Sequence, residues 1–531
     1  MPITLSIKNI SIELDGFIPT NVYHELNDAL SYAIPGAEYS EKYIAGDWDG
    51  FKRLFNRRTK TFPTGLLGIA AGILEKNNIP YGIKDLRTRP KAIKRFGLKK
   101  ELNGRPIHPR PYQLQAVQLA LIYGRGIIEI ATGGGKSFII TMIVAKLGLP
   151  SVIYVNTKDL LYQMIDNLKA IDSDEPIVGQ IGDGICKPNL ITVATIQSVF
   201  KAMGVSYPKF DEEDQVEKEE FDDKTRELIV ETVRNANVTI IDETQFLASD
   251  TFQLVANNAV NSFYKYGLSA TAARSDNADI MLTAATGKKF FELGASELIR
   301  MKHLVAPDIT ILHMPREPKT IGPAISYSTI YKAKVSEHEP SNNTITQIAE
   351  YFYRRDMSVL ILVQHISHGQ ILMNKLKTNI DSKLVEEFQE GRKKVRKIRD
   401  IEFLEGAVVT DKRKRVVALF KTKQIKIMIA TTLADCGLDI PSLDVLIMAS
   451  RGKSITRVPQ RIGRVIRSSP GKERAFVFDF YDQAKYLNMQ SKARQEIFEA
   501  EPEFRIHHFR VKERDELENY LKQLVALAPK A

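Results

Sequence analysis

Two cysteines in 531 residues, Cys186 and Cys436, are too few and too far apart for a disulfide framework or a cysteine-based structural zinc site. A reducing compartment, the cytoplasm, is therefore expected. No apolar run approaches the ~20 residues needed to span a bilayer, and the N-terminus lacks a signal-peptide pattern, so no membrane partner is expected. His365 and His368, three apart, have no further Cys/His cluster beside them and read as polar loop histidines rather than metal ligands. Acidic residues are in deficit. The 64 Asp and Glu face 75 Lys and Arg, a formal charge of +11 that favours a polyanionic partner.

What is present is a 44% hydrophobic chain, long enough for about three to four domains. It is organised around Ile130-Ala131-Thr132-Gly133-Gly134-Gly135-Lys136-Ser137. The apolar run Gly126 to Ile130 reads as a buried strand, and Phe138 to Leu147 as a helix. The glycines between them let the backbone turn tightly and aim N–H groups at phosphate oxygens beside a helix N-terminus. Lys136 would reach the β- and γ-phosphates, and Ser137 would hold Mg²⁺. Ile130 stands where the usual pattern has glycine, a relaxation seen in helicase-type loops.

Residues 1–107 precede this machinery with 17 Lys and Arg against 11 Asp and Glu. Ile3 to Ile7 alternates like a strand, and Val22 to Ala33 reads as a short helix. The stretch Gly46-Asp47-Trp48-Asp49-Gly50-Phe51, with Lys52, Arg53, Arg57 and Arg58 after it, interleaves cations with aromatics. That suits either a phosphate backbone or a half-buried strand with a solvated basic face. Pro90 to Pro111 looks like a linker.

Residues 108–303 read as a first α/β lobe. Gln113 is placed to read an adenine edge through its amide. Buried strands end at Thr157 and at Thr195-Ile196-Gln197, at the carboxyl edge of a parallel sheet where ligands bind. Residues 211–223 carry nine acidic residues and one lysine and read as a solvated loop or helix inserted in the lobe. The strand Val238 to Ile241 delivers Asp242 and Glu243. A nucleotide hydrolase needs such a pair, Asp242 for the metal and Glu243 to orient and deprotonate water. Ser269-Ala270-Thr271 suits a coupling turn.

Residues 304–485 read as a second lobe. A strand from Ile425 to Ala430 leads to Thr431, and a turn through Cys436 and Asp439 follows. Arg392 to Lys397 is a basic run that reads as a solvated face or a nucleic-acid contact. In Gln460-Arg461-Ile462-Gly463-Arg464-Val465-Ile466-Arg467, a helix would put 460, 464 and 467 on one face, aimed at a γ-phosphate. Residues 486–531 read as a helical, charged tail.

As an ordered set these motifs resemble superfamily 2 helicases over residues 108 to about 485. The Gly-Asp-Trp-Asp-Gly stretch and His365-Ile366-Ser367-His368-Gly369 narrow the resemblance to the UvsW-type branched-DNA helicases of tailed bacteriophages. The fold implied is α/β, with two tandem RecA-like parallel-sheet lobes behind a small α+β domain. The resemblance implies ATP and Mg²⁺ as cofactors, DNA as partner, a monomeric motor, and the host-cell cytoplasm as its place. It implies nucleotide contacts at Gln113, Thr132, Gly133, Gly134, Gly135, Lys136, Ser137, Asp242, Glu243, Asp439, Gln460, Arg464 and Arg467. Nucleic-acid contacts fall at Thr157, Thr195, Gln197 and Thr431, with Arg53, Arg57 and Arg58 added from the N-terminal domain. Gln245 and Gln460 stand where relatives often have His. Three functions fit: a DNA-remodelling helicase, an RNA helicase, or a duplex-translocating motor that serves a nuclease.

Overall fold

The computed structural model describes residues 3–34, 36–102, 104–204, 221–244, 254–255, 257–270, 279–314, 326–380, 384–387, 396–405, 410–431, 443–452, 457–511 and 514–527. They fall into two compact units, Met1–Ile130 with Gly135–Leu293 and Ala131–Gly134 with Gly294–Ala531.

The first unit opens with a four-stranded sheet in the order Thr61–Pro63, Ser11–Asp15, Ile3–Ile7, Tyr81–Asp85. Alternation in the expected strand Ile3–Ile7 puts Ile3, Leu5 and Ile7 into a core with Val22, Leu26, Leu66 and Leu74. The helix expected over Val22–Ala33 is instead Thr20–Ala29, followed by a strand Ser31–Ala33 that pairs antiparallel with Phe51–Arg53. Burial of Tyr32 between two less buried neighbours gives that strand its period of two, which overrides the helical start.

This N-terminal layer shares its core with the lobe behind it, because Met281 and Ala284 of helix Asp279–Thr286 belong to the same cluster. Gly65 is pressed so close to the Thr283 carbonyl that a Cβ there would collide with it. Asn9 donates its side-chain amide to the Val260 carbonyl at 3.0 Å and accepts at its backbone carbonyl from Arg125 at 3.2 Å. The expected linker is also held down. Phe96 is buried and donates its N–H to Ala145, and Gly97–Leu98 pairs with Ile171–Asp172.

The lobe carries an eight-stranded sheet in the order Ile185–Lys187, Val178–Gly182, Ile191–Thr195, Ser151–Val155, Val238–Asp242, Tyr264–Ser269, Arg125–Ile130, Lys289–Leu293. Its strands are parallel except for the Ile185–Lys187 edge. Every residue of Ser151–Val155, Ile191–Thr195 and Val238–Asp242 is buried. That is why these strands read as continuous apolar runs rather than alternating ones.

The second unit holds a seven-stranded, all-parallel sheet: Ile401–Leu404, Ile427–Thr431, Val359–Val363, Val445–Ile447, Ala475–Tyr481, Pro307–His313, Arg505–Arg510. The last strand comes from the segment expected to be a helical tail. Helices Leu487–Glu499 and Arg514–Ala526 flank it, and Leu517, Leu521 and Leu524 enter the core of the unit. Charge places the strand. Buried Asp308 accepts from Arg474, Arg505 and His507, two of them on the added strand.

Candidate functional site

The phosphate loop sits between strand Arg125–Ile130 and helix Lys136–Leu147, as its flanks imply. Gly133 and Gly135 take φ of 91° and 84°, the left-handed region that costs a Cβ-bearing residue about 1–2 kcal/mol. A side chain on Gly135 would also collide with Nε2 of Gln113. Gln113 is buried, and its Oε1 accepts from the Arg110 N–H at 2.9 Å as half of a capping box on helix Pro111–Tyr123. One end of the amide caps a helix, and that bond fixes the other end against the loop.

The two carboxylates arrive one strand away. Asp242 pairs with Leu268 while Glu129, next to the loop, pairs with Ser269, so Tyr264–Ser269 lies between the two motifs. Chain separation of more than a hundred residues is closed by this parallel order. Lys136 Nζ lies 3.0 Å from Glu243 Oε1, with the side chains 9% and 17% exposed. Glu243 has φ of 53°, rare for a residue with a Cβ, and its N–H donates to Asp242 Oδ1 at 3.1 Å. Burial and then repulsion from Glu243 push the Asp242 carboxyl up to about 7, against the pull of Lys136. An ammonium tied to a carboxylate, beside a second carboxylate raised by burial, is a site short of positive charge. The oxygen donors of Ser137 and Asp242 suit a hard divalent cation such as Mg²⁺, which would relieve that shortage.

The other strand-end residues are packed more tightly than a backbone-gripping role suggests. Thr157 caps helix Lys158–Leu168 by accepting from the Leu160 N–H. Thr195 is buried and donates to Ser198 Oγ at 2.8 Å. Half-buried Gln197 donates to the Asn156 carbonyl at 2.8 Å, joining two neighbouring strand ends. Thr431 closes its strand and is buried, as is Ser269. Arg53, Arg57 and Arg58 are exposed; Arg53 donates to Asp49 at 3.0 Å, and Arg57 lies over the Tyr23 ring at 5.7 Å.

In the second unit, Gln460 and Arg464 lie on helix Arg457–Val465, but Arg467 does not. The helix stops two residues earlier, and Arg467 forms a backbone bridge with Leu304. Its side chain is therefore placed by a strand-like contact and not by a shared helical face. Arg461, passed over by the face argument, is buried and donates to Ser450 Oγ at 3.1 Å. Its signal was its place within the motif rather than its helical phase. His368 is not a loop histidine. It lies fully buried in helix Ile366–Asn379, 2.9 Å from Asn342 Oδ1, and burial pushes its pKa down to about 3. Among the described residues no group of three or more His, Cys, Asp or Glu is arranged to hold a metal, and no helix is long and apolar enough to cross a membrane. Gln245, Thr271, Cys436, Asp439 and most of the acidic and basic runs lie outside the described residues.

Comparison with known proteins decides the family. Residues 106–274 match the model of the type III restriction enzyme res subunit, and residues 344–469 match the helicase conserved C-terminal domain. The chain is a superfamily 2 helicase. This helicase is 23% identical over 489 residues to the ATP-dependent DNA helicase uvsW of Enterobacteria phage T4, covering 87% of this chain and 88% of that one. It is 26% identical over 516 residues to a protein of the Sulfolobus islandicus filamentous virus (isolate Iceland/Hveragerdi) whose name proposes a helicase, covering 89% and 84%. Its fold resembles S. cerevisiae Dbp5 bound to RNA and ADP BeF3, with a TM-score of 0.52 at 16% identity over 78% of this chain and 94% of that one. The helicase uses ATP, and its two matched regions fall one in each unit.

Proposed function

We propose that this helicase remodels branched DNA, regressing forks, migrating junctions or dismantling R-loops and D-loops, with Mg²⁺-ATP as fuel. In this reading Lys136, Ser137, Asp242 and Glu243 bind and hydrolyse the nucleotide, with Gln113 and Asp439 at its rim. Gln460, Arg464 and Arg467 stabilise the transition state. Thr157, Thr195, Gln197 and Thr431 belong to the strand-tracking surface, where buried hydroxyls set the backbone that meets phosphate.

The observation that carries the reading is the shared core of the N-terminal layer and the first lobe. A contact that selects a branch must sit at a fixed offset from the motor, and Met281, Ala284 and Gly65 leave the layer no room to swing. Exposed Arg53, Arg57 and Arg58 on that layer supply the positive charge.

The test leaves the shared core intact. In Arg57→Glu/Arg58→Glu, ATPase stimulation by forked DNA should fall to the level given by single strands. The slope of log K against log salt should drop by about two. Stimulation that is equal on fork and linear duplex in the unsubstituted protein would favour the duplex-translocating motor instead. Stimulation by RNA alone would favour the RNA helicase.

A further inference from the structure

We propose that Lys472 is a positioning residue for Arg464, holding the end of its helix against the strand that follows the Asp439 segment. This inference rests on the reading of Arg464 as a transition-state contact.

Lys472 follows Gly471, whose φ of 76° turns the chain back, and its N–H donates to the Ser469 carbonyl at 3.0 Å. That turn sends the side chain inward. Its ammonium donates to two backbone carbonyls, that of Val465 and that of Leu443. Val465 is the last residue of helix Arg457–Val465, the helix that carries Gln460, Arg461 and Arg464. Its carbonyl is one of those a helix end leaves unbonded, and a cation there also suits the helix dipole. Leu443 leads into strand Val445–Ile447, at the sheet position next to Val359–Val363. One half-buried ammonium therefore joins the helix end to the sheet, two residues before Arg467.

The surroundings show why a cation is needed there and a structural carboxylate is not. Asp444 already accepts from the Ser358 N–H at 2.9 Å, from the Ser358 hydroxyl at 3.0 Å and from Lys423 at 2.8 Å. Lys472 is left to bond carbonyls. Burial lowers its pKa to about 8, with Asp444 opposing and Lys423 and Arg467 adding to the fall. Lys421 is likewise lowered by burial and by Arg467. Near neutral pH the ammonium is largely intact, and above about 8 it is lost.

The experiment is a double-substitution cycle on the full chain. Lys472→Met keeps the length and removes the donors. It should lower DNA-stimulated kcat about tenfold or more, with KM for ATP changed less than about threefold. In the Arg464→Ala background the same change should cost less than about twofold, because the group it positions is gone. Losses that multiply in the two backgrounds would overturn the proposal and leave Lys472 as a stabilising residue. A single Arg464→Ala variant with normal turnover would overturn the arginine reading itself and is scored separately. The unsubstituted enzyme should lose activity between about pH 7 and 9; Lys472→Arg stays charged at every accessible pH, so it should retain kcat and lack that decline. If Lys472→Met does not fold, that profile decides: an unchanged alkaline decline in Lys472→Arg overturns the proposal.

Discussion

Glu243→Gln separates two jobs of one carboxylate. Glu243 is paired with Lys136 at 3.0 Å, both side chains mostly buried. In the proposed function Lys136 turns to phosphate, so part of the binding energy of ATP should go into breaking that pair. At an effective dielectric of about 20 the gross attraction is about 5 kcal/mol. Desolvation cancels most of this, and a net of about 1–2 kcal/mol is a fair figure for a pair of this burial. Glutamine keeps the size and can take up the same left-handed backbone at φ of 53°. It removes the charge and the basicity. Apparent ATP affinity should therefore tighten by about five- to thirtyfold, while turnover falls by about 10²- to 10⁴-fold, the range of a lost general base. The assays are equilibrium titration with a fluorescent ATP analogue and single-turnover hydrolysis with DNA present. Weaker nucleotide binding together with turnover within threefold of the unsubstituted enzyme would refute both halves of the argument.

Three further outcomes follow from other parts of the molecule. Arg464→Ala should cut turnover by ~10³-fold or more with little change in nucleotide affinity. Arg464→Lys should recover little, since a point charge lacks the guanidinium fork; near-normal activity of the Lys variant would remove Arg464 from the transition state. Asp308→Asn leaves the half-buried Arg474 and Arg505 without their anion and should cost about 3–5 kcal/mol in urea unfolding, together with loosened hydrogen exchange in Arg505–Arg510. His368 titrates at about 3 in the fold against about 6.5 unfolded. The unfolded chain thus takes up the proton first as pH falls below 6.5, and stability drops with it. His368→Gln should remove about 2 kcal/mol of the stability lost between pH 7 and 5, measured by denaturant unfolding at both pH values; an unchanged loss would place the titration elsewhere.

Arg125–Ile130 and the helix after it were legible in the sequence because a phosphate loop combines three local signals: an apolar run, glycines where φ is positive, and a helix start. The same holds for Ser151–Val155, Ile191–Thr195, Val238–Asp242 and Val359–Val363, whose unbroken burial is written as unbroken apolar sequence. The motifs at their ends, taken in order, carried the family. Strand Arg505–Arg510 was not legible, since Arg505, His507 and Arg510 are polar and the pairing depends on Asp308, nearly two hundred residues away. Arg467 was misplaced for a related reason: a helical face was extended two residues past the helix end at Val465, to the point where Leu304 captures the backbone. His368 looked polar and solvent-facing because its burial is set by helix Glu339–Tyr353, which supplies Asn342.

Chain order and residue chemistry alone pointed to the proposed hydrolytic set, because a phosphate loop is contiguous and the carboxylates proposed to act with it follow a buried strand. Only the tertiary structure decided how those groups meet. Parallel strand order brings Glu243 to Lys136, a capping bond turns Gln113 towards Gly135, and a shared core fastens the N-terminal layer to the first lobe. Each of these is a long-range contact between residues whose local sequence is compatible with several partners, so the choice is made by packing and not by pattern.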